Sequence, residues 1–286
     1  MSVFDRSILI TNGNLGSMIA LADWMAKYGH TVRKVYVTHR LPSTKNNVSG
    51  FLSLVKHSGL SYSWFKLWLN KVAPMELRAR QLPGSVHGLM KSLHKDISFS
   101  FVDDLKRPEV LADMRAIEPE LIVSFSATQR FSDDLISIPS HGAVNVHYGA
   151  LPRYAGLSPY YWHLHNREPS FGVTLHRIES RLDSGGVIEQ AVREVGAERT
   201  CLGLMLKMAS EVSPLLCRLF SGESGLDRLD EQDISKRSYF GHPTRHQVRD
   251  FKRNGFSMMD SCSKKELFSV SQDISEKLCS ARASGV

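Results

Sequence analysis

Several features that would quickly place a chain in a class are missing from this sequence. The four cysteines are far apart and none shows CxxC spacing, which indicates neither a disulfide framework nor a zinc knuckle. No stretch approaches the roughly 18 uninterrupted apolar residues of a membrane span. The letters "FDRS" at residues 4–7 also interrupt the early apolar run that a signal peptide needs. These absences lead us to expect a cytoplasmic globular protein with reduced thiols.

Two common motifs of catalytic and nucleotide-binding chains are absent as well. The sequence has no GxSxG, the turn that presents a nucleophilic serine in many hydrolases. Gly13 and Gly16 in "NGNLGS" do not complete GxGxxG, so a tight strand-to-helix turn explains these glycines as well as a dinucleotide site would. The net charge of +7 suits an anionic partner, from a nucleotide to a lipid headgroup, without choosing among them.

What the sequence does contain is an alternation of short apolar runs and amphipathic segments. Residues 7–11 predict a strand, residues 18–30 a helix and residues 32–38 a second strand. The alternation resumes after residue 84 and ends with residues 200–220, which predict one long amphipathic helix. This order predicts the α/β class, with a doubly wound, mostly parallel sheet.

Residues 41–89 interrupt the alternation. They contain six lysines and arginines against one glutamate, interleaved with aromatic and aliphatic residues. We interpret them as one or two inserted amphipathic helices. One reading is a helical excursion packed on the body with a solvated basic face. The other is a surface that docks on a lipid interface or a partner protein, because basic and aromatic residues on one helix suit both.

The composition turns polar after about Gly222. The predicted domain organisation is therefore a main domain over residues 1–220, with the 41–89 insertion inside it, and a small C-terminal appendage or tail over residues 221–286.

Three polar residues stand out near the predicted central strands. If residues 143–147 are extended, side chains alternate between faces, so Asn145 and His147 point the same way. Asp183 lies in the glycine-flanked loop "RLDSGG". Carboxyl ends of strands are where ligands bind in open α/β sheets. An amide, an imidazolium and a carboxylate can carry out acyl transfer without a covalent nucleophile. The spacing alone is also compatible with three structural polar residues.

A metal site would need a different arrangement of the histidines. His147, His163, His165 and His176 are near one another in sequence. His163 and His165 fall on a predicted helix, however, and residues two apart on a helix do not share a face. We therefore expect no metal.

Two longer stretches, "NVHYGALPRYAGLSPYYW" and "GVTLHRIESRLDSGGVI", resemble the 10-formyltetrahydrofolate-dependent formyltransferases. That family includes methionyl-tRNA formyltransferase, glycinamide ribonucleotide transformylase and the amino-sugar N-formyltransferases. Its pattern is Asn-x-His, a Leu-Pro-x-x-x-Gly loop and an Asp-x-Gly loop, which here begin at Asn145, Leu151 and Asp183. The resemblance runs from about residue 7 to residue 220, interrupted by the 41–89 insertion.

The resemblance implies a Rossmann-like fold, a catalytic domain over residues 1–220 and 10-formyltetrahydrofolate as formyl donor and co-substrate. It implies that Asn145 binds the formyl oxygen, that protonated His147 stabilises the oxyanion, and that Asp183 keeps His147 charged and relays the proton. Thr174 falls where the family tends to have a hydroxyl near that histidine. The pterin is expected against the backbone of two loops, whose named residues are Gln129, Arg130, Phe131, Arg181 and Leu182.

The departures from the family concern the acceptor. Residues 221–286 are too few for the separate C-terminal barrel with which the tRNA-specific members hold tRNA, so no tRNA substrate is expected. The expected acceptor is a primary amine on a small molecule, a nucleotide-linked amino sugar first and another natural-product or lipid-linked amine next. Tyr154, Tyr160, Tyr161 and Trp162 either line an acceptor pocket or pack a helix on the sheet.

Two further functions compete with this interpretation. A formyltetrahydrofolate hydrolase would use water in place of the amine. A non-catalytic module would keep the fold and dock through residues 41–89. That insertion is also the expected site of any peripheral membrane or protein contact of the enzyme, and a homodimer is a further expectation.

Overall fold

A computed structural model describes residues 2–38, 47–93, 97–227 and 229–283. Its main feature is a seven-stranded sheet in the order β3-β2-β1-β4-β5-β7-β8. The strands are β1 (Ser7–Thr11), β2 (Val32–Thr38), β3 (Ser98–Val102), β4 (Leu121–Phe125), β5 (Ala143–His147), β6 (Ala155–Gly156), β7 (Ser170–Arg177), β8 (Val187–Glu194) and β9 (Tyr239–Phe240). The short strands β6 and β9 form a separate parallel pair.

Helices flank the sheet and connect its strands. They are α1 (Leu15–Tyr28), α2 (Asn47–Ser58), α3 (Leu60–Leu67), α4 (Ala73–Ala79), α5 (Val86–Leu93), α6 (Pro108–Ala116), α7 (Asp133–Ile136), α8 (Pro159–His165), α9 (Cys201–Ser210), α10 (Val212–Ser221), α11 (Arg245–Arg253) and α12 (Ser261–Ala283). Within the described ranges, no helix is long and apolar enough to cross a lipid bilayer.

The predicted α/β class with a doubly wound, mostly parallel sheet is confirmed. Strands β1 to β5 run parallel, and β7 and β8 add antiparallel pairs at one edge. Each face of the sheet has its own apolar cluster: Leu9 and Val123 lie in the main cluster, and Ile8, Ile10 and Ile122 in the second. Since β1 lies between β2 and β4, the strand order reverses there. In such sheets ligands bind outside the carboxyl ends of the strands at that point.

The basic-aromatic insertion forms α2, α3 and α4, while residues 39–46 lie outside the described part of the chain. A π-helical stretch, Trp68–Val72, joins α3 to α4. It ends two residues before Pro74, which has no N–H to donate to the carbonyl of Asn70. Such single π turns resolve a missing bond without ending the helix.

One side of the insertion belongs to the core and the other faces outward. Its buried side chains in the main cluster are Tyr62, Phe65, Trp68, Leu69, Ala73, Leu77, Val86 and Leu89. Leu52, Leu60 and Trp64 are 60%, 69% and 47% exposed. The insertion is therefore a helical excursion packed on the body, and it also carries an exposed apolar face.

The single long helix predicted over residues 200–220 is wrong. The structure has two helices, α9 and α10, that meet at Glu211, whose N–H bonds the carbonyl of Met208 three residues back. Pro214 accounts for the break, because a proline cannot donate to the carbonyl four residues earlier and its ring crowds that carbonyl. The helical spacing of apolar residues continues on both sides of the break. The sequence pattern therefore does not show that the helix is interrupted.

The segment after residue 220 packs on the body. Its buried apolar side chains belong to the same main cluster as those of the sheet; they are Val248, Phe251, Phe256, Met258, Leu267, Ile274 and Leu278. Phe251 is fully buried and lies against Tyr161 of α8, with ring centroids 4.7 Å apart. These residues thus share one core with the main domain.

Candidate active site

The carboxyl end of β5 presents two polar side chains. Asn145 and His147 pair across the sheet with His176 and Thr174 of the antiparallel strand β7. Asn145 is half-buried and His147 is buried. Because successive side chains of a strand alternate, both lie on the face opposite to Val146.

The Asn145 amide is oriented by His176. The Nδ1 atom of His176 lies 2.7 Å from the carbonyl oxygen of Arg177, and a carbonyl can only accept, so Nδ1 carries the hydrogen. The other nitrogen, Nε2, is then an acceptor and takes a hydrogen from Asn145 Nδ2 at 3.1 Å. Burial lowers the pKa of His176 to about 4, which keeps the ring neutral and this arrangement intact. One hydrogen of the amide remains available.

His147 has a protein partner on each nitrogen. Its Nε2 donates to the carbonyl oxygen of Tyr154 at 2.8 Å, and its Nδ1 lies 3.8 Å from Asp183 Oδ1. Gly149 permits this arrangement, because a Cβ there would lie 2.9 Å from His147 Nε2 and 2.7 Å from the Tyr154 oxygen. Any larger residue would displace the ring or the loop.

Asp183 reaches His147 from the loop after β7. Its backbone is in the left-handed region, with φ at 50°, and its side chain is buried. The second carboxylate oxygen accepts a hydrogen bond from the backbone N–H of Gly156 at 3.1 Å. The structure therefore brings together the three residues that the sequence singled out, with the carboxylate facing the imidazole.

Thr174 lies opposite His147 in the strand register but uses its hydroxyl on the neighbouring loop. Its Oγ1 donates to the carbonyl of Gly149 at 2.6 Å and accepts from the N–H of Leu151 at 3.2 Å. Gln190 Nε2 donates to the same oxygen at 2.7 Å. Thr174 thereby fixes the start of the "LPRYAG" loop beside the site.

A later part of the chain, the 230–240 segment, holds both active-site loops. Gln232 donates to the carbonyl of Gly185 and Arg237 to that of Leu182, each at 2.7 Å. The hydroxyl of Ser238 accepts from the N–H of Tyr154 at 2.9 Å, the residue whose carbonyl bonds His147. No pattern in the sequence links this polar segment to the site.

The residues expected near the pterin fall on two loops that share the second cluster. Phe131 is buried in it, and Ile178, at the start of the loop to Arg181, packs against it. The Gln129 amide is used within the protein, accepting from the N–H of Leu105 at 2.8 Å and donating to the carbonyl of Asp103 at 2.9 Å. Arg130, Arg181 and Leu182 are exposed beside them.

The aromatic residues after the "LPRYAG" loop are mainly packing residues. The ring of Trp162 lies against Phe240 at 4.7 Å, and that of Tyr154 against His163 at 3.9 Å. Tyr160 differs, because its hydroxyl accepts a hydrogen bond from Lys66 in α3. In the part of the chain that the structure describes, no group of three or more His, Cys, Asp or Glu is placed to hold a metal ion.

Two buried histidines make stability depend on pH. Burial lowers the pKa of both His163 and His176 to about 4, against about 6.5 in the unfolded chain. Each group adds stability that is present above pH 6.5 and is lost as the pH falls toward 4. The free energy of unfolding should drop by about 1.4 kcal/mol per pH unit for each histidine in this window.

Urea unfolding at pH 7.5, 6.0 and 5.0 measures this dependence above the range in which carboxylates titrate. The variant His163→Gln should show a shallower dependence on pH, whereas His30→Gln, which changes an exposed ring, should leave it unchanged. Equal stability at pH 7.5 and 5.0 would contradict the assignment of neutral buried rings.

The fold and the site define a doubly wound α/β protein with its polar residues at the carboxyl ends of the central strands. The family model described as formyl transferase matches residues 78–218, which include Asn145, His147 and Asp183. Residues 78–218 thus match a formyl transferase domain, and the predicted resemblance to formyltransferases is confirmed.

Solved structures share this fold at low sequence identity. WlaRD, a sugar 3N-formyl transferase crystallised in the presence of dTDP and 5-N-formyl-THF, is 16% identical with a TM-score of 0.52, over 90% of this chain and 83% of that chain. An N-formyltransferase from Helicobacter canadensis, in complex with folinic acid and dTDP-3-aminofucose, is 14% identical with a TM-score of 0.50, over 90% and 85%. A phosphoribosylglycinamide formyltransferase from Anaplasma phagocytophilum is 16% identical with a TM-score of 0.51, over 76% and 87%.

Proposed function

We propose that this chain transfers the formyl group of 10-formyltetrahydrofolate to a primary amine of a small molecule, with a nucleotide-linked amino sugar as the preferred acceptor. The observation that carries the proposal is the convergence of Asn145, His147 and Asp183 at the carboxyl end of β5, in a chain with a formyl transferase domain. A tRNA acceptor is not part of the proposal.

The amine nitrogen attacks the formyl carbon, and the carbonyl oxygen becomes an oxyanion. The free hydrogen of the Asn145 amide is the donor for that oxygen, held in place because His176 accepts the other one. When the intermediate collapses, the bond from the formyl carbon to the folate nitrogen breaks. The amine loses a proton overall and the folate nitrogen gains one, with Asp183 as the carboxylate that relays it.

His147 contributes through its charge. With Nδ1 facing Asp183 and Nε2 on the carbonyl of Tyr154, the protonated ring is surrounded by acceptors that stabilise the imidazolium. Its positive charge beside Asn145 lowers the energy of the oxyanion in this buried site. The Nε2 hydrogen of His147 already bonds the carbonyl of Tyr154. It can bond the oxyanion directly only if the two oxygens share it.

The donor is proposed to bind along the loops that contain Gln129, Arg130 and Phe131 and, facing them, Arg181 and Leu182. The apolar residues beneath both loops suit the flat pterin ring, and the backbone groups supply its hydrogen bonds. The side chains of Arg130 and Arg181 are exposed, whereas that of Phe131 is buried in the second cluster. The folate is a co-substrate in this scheme, and no metal takes part.

Partners beyond the two substrates stay predictions. Peripheral contact with a membrane or a protein through residues 41–89 would use the exposed side chains of Leu52, Leu60 and Trp64. A homodimer is likewise a prediction, to be measured by sedimentation of the purified chain.

The test is a donor-dependent assay with the full chain. Tetrahydrofolate release and formylated product are followed by mass spectrometry, with 10-formyltetrahydrofolate and a panel of nucleotide-linked amino sugars, and Asn145→Ala as the matched inactive control. We expect release only when an amine acceptor is present. Release at the same rate without acceptor would favour the hydrolase, and none with a broad panel would favour the non-catalytic module.

A further inference from the structure

We propose that Lys66, on the inserted helix α3, binds an anionic group of the acceptor, a phosphate in a nucleotide-linked substrate. The inference rests on the proposed function, since it assigns a subsite to the acceptor of that reaction. It is carried by the position of Lys66, by the charges around it and by a buried polar atom nearby.

The position of α3 places Lys66 at the ligand-binding edge of the sheet. Asn70, one turn after Lys66, donates from Nδ2 to the carbonyl of Lys66 at 2.7 Å. Its Oδ1 accepts from Asn14 Nδ2 at 2.9 Å. Asn14 follows the carboxyl end of β1 and begins α1. These hydrogen bonds attach the insertion to the carboxyl end of β1, where the strand order reverses. This is the same edge of the sheet as the one at which Asn145 lies.

Among the described neighbours of Lys66, no group carries a negative charge that would neutralise its ammonium. Its Nζ donates to Tyr160 Oη at 2.6 Å and lies 5.6 Å from the centroid of the Tyr62 ring. Burial raises the pKa of Tyr62 to about 12 and also raises that of the Cys201 thiol, so both are neutral. His242, which bonds Tyr62 Oη at 3.0 Å, carries no negative charge in either protonation state.

No described carboxylate lies within ion-pairing distance of Lys66. The ammonium therefore has no carboxylate partner among the described residues, and only one of its three hydrogens is used by Tyr160. The two remaining hydrogens and the full charge are what a phosphate oxygen would need.

A second polar group next to the catalytic pair lacks a partner. The hydroxyl of Tyr148, the residue after His147, is buried and makes no hydrogen bond within the described chain. Tyr148 lies close enough to Tyr160 for the two hydroxyls to interact electrostatically. Lys66 and Tyr160 therefore bring polar groups of the insertion and of α8 close to Tyr148, the residue that follows the last residue of β5.

The alternative source of an anion is the glutamate tail of the folate. The neighbours of Lys66, Tyr62 and Tyr160, belong to the main cluster. The loops proposed for the pterin pack on the second cluster, through Phe131 and Ile178. Since the two clusters lie on opposite faces of the sheet, Lys66 is assigned to the acceptor.

Binding of inorganic pyrophosphate and of dTDP, measured by calorimetry and by the shift in melting temperature, tests the assignment. Lys66→Met should weaken both by about tenfold to a hundredfold, the effect of losing one charged hydrogen bond, and Lys66→Arg should retain part of the affinity. Lys56→Met, which changes an exposed lysine on α2, should bind as the wild type does.

Equal binding by the wild type and Lys66→Met, or no binding by the wild type, would overturn the proposal. In another outcome, Lys66→Met loses affinity only for triglutamyl 5-formyltetrahydrofolate and not for the monoglutamyl form. That result would assign Lys66 to the donor and overturn the acceptor role. Asn145→Ala should bind pyrophosphate normally. A chain that binds pyrophosphate through Lys66 but transfers no formyl group would refute the proposed function and leave the anion site standing.

Discussion

Replacing Asn145 or His147 with alanine is expected to lower the turnover of formyl transfer by about 10²–10³, the usual loss when one oxyanion-stabilising group is removed. Asn145→Ala removes the amide hydrogen that the bond to His176 leaves free. His147→Ala removes the imidazole that faces Asp183 at 3.8 Å, which is the group we propose to stabilise the oxyanion. The Michaelis constants should change less than turnover, because both groups act mainly on the developing charge.

Steady-state kinetics of purified variants measure this effect, with circular dichroism as a check on the fold. Asn145→Asp keeps the shape of the side chain but replaces the amide donor, so it should be as slow as Asn145→Ala. His30→Ala is the matched control, because His30 is exposed and precedes β2 at the opposite edge of the sheet. Near-normal turnover in either alanine variant would refute the mechanism.

Asp183→Asn is expected to lower turnover by about 10²–10⁴, the range that general acid–base catalysis contributes. The amide keeps the volume of the carboxylate, and its oxygen can still accept from the N–H of Gly156. The loop should therefore keep its shape. What is lost is the negative charge that faces His147 and that we propose to accept the proton of the amine.

The comparison of turnover with melting temperature distinguishes this catalytic role from a structural one. Asp183→Asn should lose turnover while its melting temperature stays close to that of the wild type, because the amide keeps the hydrogen bond from the N–H of Gly156. Asp273→Asn, an exposed carboxylate on α12, serves as the control. A lowered melting temperature with turnover close to that of the wild type would assign Asp183 a structural role only.

Much of the fold is predicted by the periodicity of apolar residues within single strands and helices. Strand β5 was predicted from alternation, and alternation by itself puts Asn145 and His147 on one face. The glycines of "RLDSGG" marked the loop of Asp183, where Gly185 allows an approach that a Cβ would block, at 2.1 Å from the carbonyl oxygen of Arg177. These features depend on residues close together in the chain, so they are readable without the fold.

The local pattern of apolar residues does not specify the helix break at Pro214 or the bond between His176 and Asn145. The helix break before Pro214 was hidden because apolar residues continue on both sides of it. The sequence pattern indicates His176 only among candidate metal ligands, although its place two residues after Thr174 on a strand is a signal for a cross-strand partner. Its bond to Asn145 depends on the register between β5 and β7, which spacing within one strand does not specify.

The sequence alone determined the α/β class, the common face of Asn145 and His147, the glycine-flanked loop of Asp183 and the basic-aromatic character of the insertion, because each is a property of neighbouring residues. Tertiary structure alone decided which way the Asn145 amide points and which carbonyl His147 bonds. It also decided how the 230–240 segment holds both loops and that Lys66 bonds the hydroxyl of Tyr160. Those are contacts between residues far apart in the chain, and only packing and strand register bring them within hydrogen-bond distance.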